Sequence, residues 1–308
     1  MKTLQTAGVR LEGLCATLPA HAVANDEKAA RATGVRERRL AAPGTTVVDL
    51  CASAARRVLA DVGASADDVG AVVFVTFTQH DRMPASAVQI QARLGLPTDV
   101  VAFDVSLACS GWGYGLYLAA LLARETGRRT LLLDGDVQSA FLAAGDASTS
   151  PLLADGGTAA LVAPDASAAP WTFAFAADGA KGAALRLSRG GAIEMDGFAV
   201  FRFVATDVVR YANDFLAARP PSSFDWFVPH QPNAYMVRQL AKGIGFDAER
   251  TAISCDSLGN LSSASVPATI AWRDVRGHVF FAAFGGGLSV SLGAIDVPDG
   301  CALSTVEW

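Results

Sequence analysis

Cys109 stands in DVSLACSGWGYG, where a β-branched stretch gives way to small residues and then to an apolar helical run. A thiol at a helix N-terminus feels the positive end of the dipole, which favours the thiolate and hence a nucleophile. The small neighbours Ala108, Ser110, Gly111 and Gly113 would let a substrate come close to the backbone. The plain alternative is a buried free cysteine. His230 follows DWFVP in VPHQPNAY and is held between Pro229 and Pro232 just before a helix. The end of a buried strand is where general acids and bases gather. Asn260, in SLGNLSSAS, is either the N-cap of the helix that follows or a buried amide that donates to a developing oxyanion. Cys15, Cys51 and Cys301 lack such a setting and read as buried thiols, and Cys255 reads as wall rather than nucleophile. His21, His80 and His278 have ordinary surroundings, and no pair has metal-ligand spacing.

These residues sit in an alternating pattern. AVVFVTF (71–77), TLLLD (130–134), TAALVA (158–163), DWFVP (225–229) and HVFFAAF (278–284) have the short β-branched or aromatic character of buried strands. Between them, 45–63, 85–95, 112–127 and 234–245 have helical period and end at glycine. Strands buried on both faces and alternating with helices imply an α/β layered fold. The pattern recurs at half length. AVVFVTF, then FDVSLACSGWGYGLYLAALLA, then TLLLDGD in the first half corresponds to DWFVPHQ, then AISCDSLGNLSSASVPATIAW, then HVFFAAFGGG in the second. APDASAAPW (163–171) has linker composition, which divides the chain into halves 1–165 and 166–308. Asn260 then occupies the position that Cys109 holds in the first half, and two stacked halves would build one site between them.

Composition limits the alternatives. Of 308 residues, 51% are hydrophobic and 18% charged, against roughly 25% charged in an average chain. A disordered chain is excluded by that much apolar surface. The net charge of −5, from 25 basic and 30 acidic residues without long runs, argues against nucleic-acid binding. Five widely spaced cysteines without a CxxC pair argue against a disulfide framework or a zinc site, and MKTLQTAGVR lacks a signal-peptide core. A reducing cytoplasm is the simplest compartment. The windows 105–123 and 277–295 carry no Asp, Glu, Lys or Arg, yet GWGYG and FGGG interrupt them, so they read as buried strands and helices rather than membrane spans. FGGG itself (Gly285 to Gly287) and ADGGTAALV (154–162) read as turns beside strands, and VRERR (35–39) as a solvated segment or an anion contact.

GVRERRLAAPGTT, MPASAVQIQARLG, AFDVSLACSGWGYGL, LADGGTAALV, FVPHQPN, LGNLSSASVP and AFGGG, taken in order over almost the whole chain, resemble β-ketoacyl-acyl-carrier-protein synthase III and its relatives in the thiolase superfamily. The resemblance implies a thiolase-like α/β/α/β/α body of five layers, made of two duplicated halves and usually a homodimer. It implies a Cys109, His230 and Asn260 triad in which Cys109 takes an acyl group from a thioester. The backbone amides of Cys109 and Gly286 would form the oxyanion hole. His230 and Asn260 would bind the carbonyl of a malonyl-type thioester as carbon dioxide leaves. Phe284 matches a residue packed at the catalytic centre, Met83 one that closes the acyl pocket of the partner subunit, and Asn233 a pantetheine contact. Arg202 and Lys242 match basic residues that dock acyl carrier protein. No permanently bound cofactor is implied, only acyl thioesters of carrier protein or coenzyme A.

The departures from the family pattern concern coenzyme A. The segment between Asn25 and Thr33 is shorter than in typical members and lacks the Trp that stacks on the adenine; Ala32 and Ser148 stand where arginines accompany it, and Tyr235 where a docking arginine is expected. Three functions remain open at this point: a condensing enzyme, an acyltransferase of the same fold acting on an alcohol or amine, and a non-catalytic partner subunit. The intact polar triad favours the first.

Overall fold

The structure is a computed structural model and describes residues 1–143 and 145–308. Two sheets carry the fold. The first has six strands in the order β15-β2-β8-β7-β5-β6, from β2 (Val9–Leu18), β5 (Val69–Val75), β6 (Val101–Val105), β7 (Arg129–Val137), β8 (Asp155–Pro164) and β15 (Ala302–Glu307). The second has five in the order β1-β9-β14-β13-β12, from β1 (Leu4–Thr6), β9 (Trp171–Ala177), β12 (Trp226–Pro229), β13 (Gly277–Gly285) and β14 (Ser289–Val297). Two small hairpins, β3 (Ala22–Ala24) with β4 (Glu37–Arg39) and β10 (Leu185–Leu187) with β11 (Ile193–Met195), stand outside them.

Alternation of side chains along the strands explains the layers. On β7, Leu131 and Leu133 pack against α2 (Val47–Val62) and α3 (Ser86–Leu94), while Leu132 faces the middle layer with Trp112 and Leu116 of α4 (Gly111–Thr126). On β13, Val279, Phe281 and Ala283 face the same middle layer, shared with Val266 and Ile270 of α9 (Ser265–Trp272). Phe280, Ala282 and Phe284 face outward, against Phe203 of α5 (Gly197–Phe203), Phe215 of α6 (Val209–Leu216) and Leu240 of α7 (Ala234–Ile244). Outer helices, sheet, middle helices, sheet and outer helices make the five expected layers. The charge-free windows are α4 with its approach and the β13–β14 hairpin. No helix among the described residues is long and apolar enough to cross a membrane.

Local chemistry sets the helix ends. Thr46 and Asp49 cap α2 reciprocally, and α2, α3, α4 and α7 each stop at a left-handed glycine, as their terminal glycines predict. Two features depart from the sequence reading. The second half lacks a full counterpart of β6: a single bridge, Phe227 to Thr251, stands in its place. Strands near the two ends of the described residues also cross between the sheets, β1 joining β9 in the second and β15 joining β2 in the first.

Candidate active site

Cys109, His230, Asn260, Phe284 and Gly286 line one cavity of about 400 Å³, a size suited to a small ligand. Cys109 precedes α4 in a turn stapled to the opposite sheet. Ser110 Oγ lies 2.7 Å from Ser289 Oγ, and Ser291 Oγ donates to the Ser110 carbonyl at 2.7 Å. At Gly113, a Cβ would stand 2.4 Å from Ser291 Oγ, so the helix approaches β14 this closely only without a side chain there. Gly285 plays the same part beside the thiol.

His230 continues β12, its backbone N–H donating to the Ala282 carbonyl at 2.8 Å. Gln231 fixes the turn after it, donating to Pro229 and Ala252 carbonyls and accepting from Ser254 N. The imidazole meets the Phe284 ring edge to face at 5.4 Å. Asn260 is held from both halves. Its backbone N–H donates to the Leu152 carbonyl, its carbonyl accepts from Gln138 Nε2 at 2.7 Å, and its side-chain Oδ1 accepts from Ser262 N at 2.9 Å. With Oδ1 engaged, the carboxamide N–H₂ is its free end. Asn260 therefore is not the N-cap of α9; the cap position there is Ala264.

Burial, rather than the helix dipole, dominates the electrostatics. It pushes the Cys109 thiol up to about 12, with the Ser262 hydroxyl working in the opposite direction. The expectation of a dipole-stabilised resting thiolate is thereby corrected: Cys109 is 7% exposed and α4 begins two residues after it. The same desolvation lowers the His230 imidazole to about 3. A neutral thiol thus rests near a neutral imidazole that can donate or accept.

Other predicted residues lie apart. Met83 is 86% exposed. Asn233 caps α7 through Oδ1, which accepts from Met236 N. Arg202 and Lys242 are exposed on α5 and α7. Of the VRERR segment, Arg38 is buried against Asn25 and the Ser150 carbonyl, and Arg36 pairs with Asp256 at 3.0 Å. Asp155 to Gly157, read as a turn, are buried in β8. Several cavity residues carry no signal in the sequence. Leu185, Leu187, Ile193 and Met195 of the β10–β11 hairpin form a wall, and Phe77 another. The Phe77 loop hangs on Asp136, whose Oδ1 accepts from Thr76 Oγ1, Phe77 N and both Thr78 donors at 2.9–3.2 Å.

The profile of the family described as 3-oxoacyl-[acyl-carrier-protein] synthase III matches residues 103–179, and that of its C-terminal part matches residues 217–296. A β-ketoacyl-[acyl-carrier-protein] synthase III of Acidiphilium cryptum is 35% identical over 311 residues, covering 91% of this chain and 96% of that one. The chain belongs to the 3-oxoacyl-[acyl-carrier-protein] synthase III family. The synthase III of Serratia proteamaculans is 33% identical, with 86% and 89% covered. Among solved structures, a 3-oxoacyl-(acyl-carrier protein) synthase from Burkholderia xenovorans superposes with a TM-score of 0.95 at 31% identity, covering 100% of this chain and 99% of its own. The priming β-ketosynthase of the R1128 polyketide pathway gives 0.88 at 28%, with 97% and 99% covered. As a synthase III, the protein is an acyl-transferring condensing enzyme of the thiolase fold, and transfer to an alcohol or amine is not favoured.

Proposed function

We propose that this synthase III works through an acyl-Cys109 intermediate, with His230 and Asn260 handling the second substrate. In loading, Cys109 Sγ attacks the carbonyl carbon of an acyl thioester. The thiol proton passes to the His230 imidazole and on to the departing carrier thiolate as its C–S bond breaks. The backbone N–H groups of Cys109 and Gly286 receive the oxyanion. A malonyl thioester then binds with its carbonyl oxygen against His230 and the Asn260 amide. Its carboxylate C–C bond breaks, carbon dioxide leaves, and the electron pair forms an enolate that attacks the acyl carbon on Cys109. The Cys109 thiolate departs and regains a proton from solvent, releasing a β-ketoacyl thioester. The observation that carries this reading is the pairing of a neutral imidazole with an amide whose oxygen is already taken, both facing the cavity of the thiol. Two neutral N–H donors suit an enolate.

The donor arrives on a phosphopantetheine arm. α5, which supplies Val200 and Phe203 to the cavity, and α7, which follows the cavity residue Pro232, carry Arg202, Arg238 and Lys242 on their exposed faces. Acyl carrier protein docks there, and Asn233 beside Pro232 contacts the arm. The enzyme is a homodimer: β6 is an open sheet edge with Val101 41% exposed, and the half-buried Tyr114, Tyr117, Leu118 and Leu121 continue that face along α4. Met83, on the same side of the sheet as α3, reaches the pocket of the second copy. Five free cysteines suit the reducing cytoplasm.

Incubation with acyl-carrier-protein and acyl-coenzyme A donors, read by intact mass, tests the reading. An acyl adduct on Cys109 is expected, absent in Cys109→Ala. Asn260→Ala should still load and fail to release carbon dioxide from malonyl-carrier protein; loss of loading in both variants alike overturns the assigned roles.

A further inference from the structure

Ser262 hydrogen-bonds two members of the triad and acts on the third. It is fully buried, and its Oγ lies 3.9 Å from Cys109 Sγ, the side-chain hydrogen bond this thiol makes among the described residues. Its backbone N–H orients the Asn260 amide at 2.9 Å, and its backbone also acts on the His230 imidazole. Ser262 does this from a left-handed conformation, φ 54°, shared by only one other non-glycine residue among those described, Asp274. For a residue with a Cβ that conformation costs on the order of 1 kcal/mol or more and persists only where surrounding contacts impose it. The strain aims the hydroxyl at the sulfur.

We propose that Ser262 is a catalytic residue of the loading step, its hydroxyl donating a hydrogen bond to Cys109 Sγ as the thiol loses its proton. This rests on Cys109 being the acyl acceptor. In the resting state Sγ–H donates to Oγ. A hydroxyl is both donor and acceptor; the Ser262 O–H, which faces the Asp136 carboxyl at rest, can turn to the sulfur once the proton has gone to His230, and no further proton or electron is required. The sulfur needs such a donor. It is buried, and the Asp136 carboxyl behind it opposes a second negative charge. A hydrogen bond to a charged group in a dry site is about twice as strong as one between neutral groups. The titratable groups facing Cys109 are His230 and Asp136, and neither donates a hydrogen bond to the sulfur among the contacts described.

Ser262→Ala and Ser262→Gly separate the hydroxyl from the backbone. Both remove Oγ, glycine relieves the strain, and both keep the N–H that holds Asn260. Loss of a charge-assisted bond should slow acyl-Cys109 formation by about tenfold to a hundredfold in both variants. The pH profile of Cys109 alkylation by iodoacetamide should move to higher pH, while carbon dioxide release from a malonyl thioester stays at the parent rate. Parent-rate loading in either variant overturns the proposal, including the case where only Ser262→Ala is slow, which would assign the effect to the backbone. Equal loss of loading and decarboxylation overturns it too, by showing a structural role. Should the parent enzyme fail to load from any donor, the acyl-Cys109 reading falls, whereas the alkylation profile still tests Ser262 on the sulfur.

Discussion

Two carboxyls behind the nucleophile have no ion-pair partner among the described residues. Asp134 and Asp136 continue the inward row of Leu132 on β7, and both Asp134 oxygens lack any hydrogen-bond partner among the described residues. Burial pushes both upward, Asp136 to about 7 and Asp134 well above the usual carboxylate range, with the Asp136 charge adding to Asp134 and both to Cys51. A carboxyl raised on folding binds its proton more tightly in the native state, so its ionisation costs stability as pH climbs above the unfolded value of about 4. Asp134→Asn, which cannot ionise, should therefore gain progressively on the parent between pH 5 and pH 8 in urea unfolding. A constant difference across that range would mean that Asp134 is ionised in both states or in neither. Cys109 and His230 stood out in the sequence because a reactive type follows an apolar run, and Asn260 because it takes in the second half the position that Cys109 holds in the first. Ser262 and the two aspartates did not. TLLLDGD reads as a strand, yet nothing in a strand pattern says that its aspartates are buried, and the reach of a serine depends on a φ that no residue type announces.

At the level of elements, the site is made by one close approach. β13 ends in Gly285, where a Cβ would stand 2.6 Å from Cys109 Cβ and 3.0 Å from Sγ. Neither side can yield, because β13 is bonded to β14 along its whole length, Gly285 opposite Ser289, and to β12 from Val279 to Ala282, and the cysteine turn is stapled through Ser110. Gly285→Ala should abolish acyl loading and cost about 1–3 kcal/mol of stability, as overpacking does. A variant with parent loading would show that the turn is looser than its hydrogen bonds indicate. The strands and helices were legible because their apolar periods are local and their glycine stops explicit. The β10–β11 wall was not, since Leu185, Leu187, Ile193 and Met195 are ordinary apolar residues in a glycine-interrupted stretch. Folding, not residue type, brings them over the thiol.

For the whole molecule, the half-length repeat pointed to two stacked sheets sharing a helical layer, and its two halves supply Cys109 on one side and His230 with Asn260 on the other. The open β6 edge predicts a dimer in solution. Light scattering should give twice the chain mass, and Val101→Asp, placing a charge on that edge, should shift it toward monomer with loss of loading; a monomeric parent with full activity would remove Met83 from any role in the pocket. The crossing of β1 and β15 between the sheets was beyond periodicity, because it pairs segments distant in the sequence. It also bears on how the protein is made. A ribosome delivers β2 long before its parallel neighbour β15, with Ser304 settling beside Cys15 and Trp308 closing on Leu18. Until β15 emerges, the growing polypeptide carries an unpaired strand edge at β2, which is a template for aggregation. The nascent first half is then the species that a chaperone would be called on to shield.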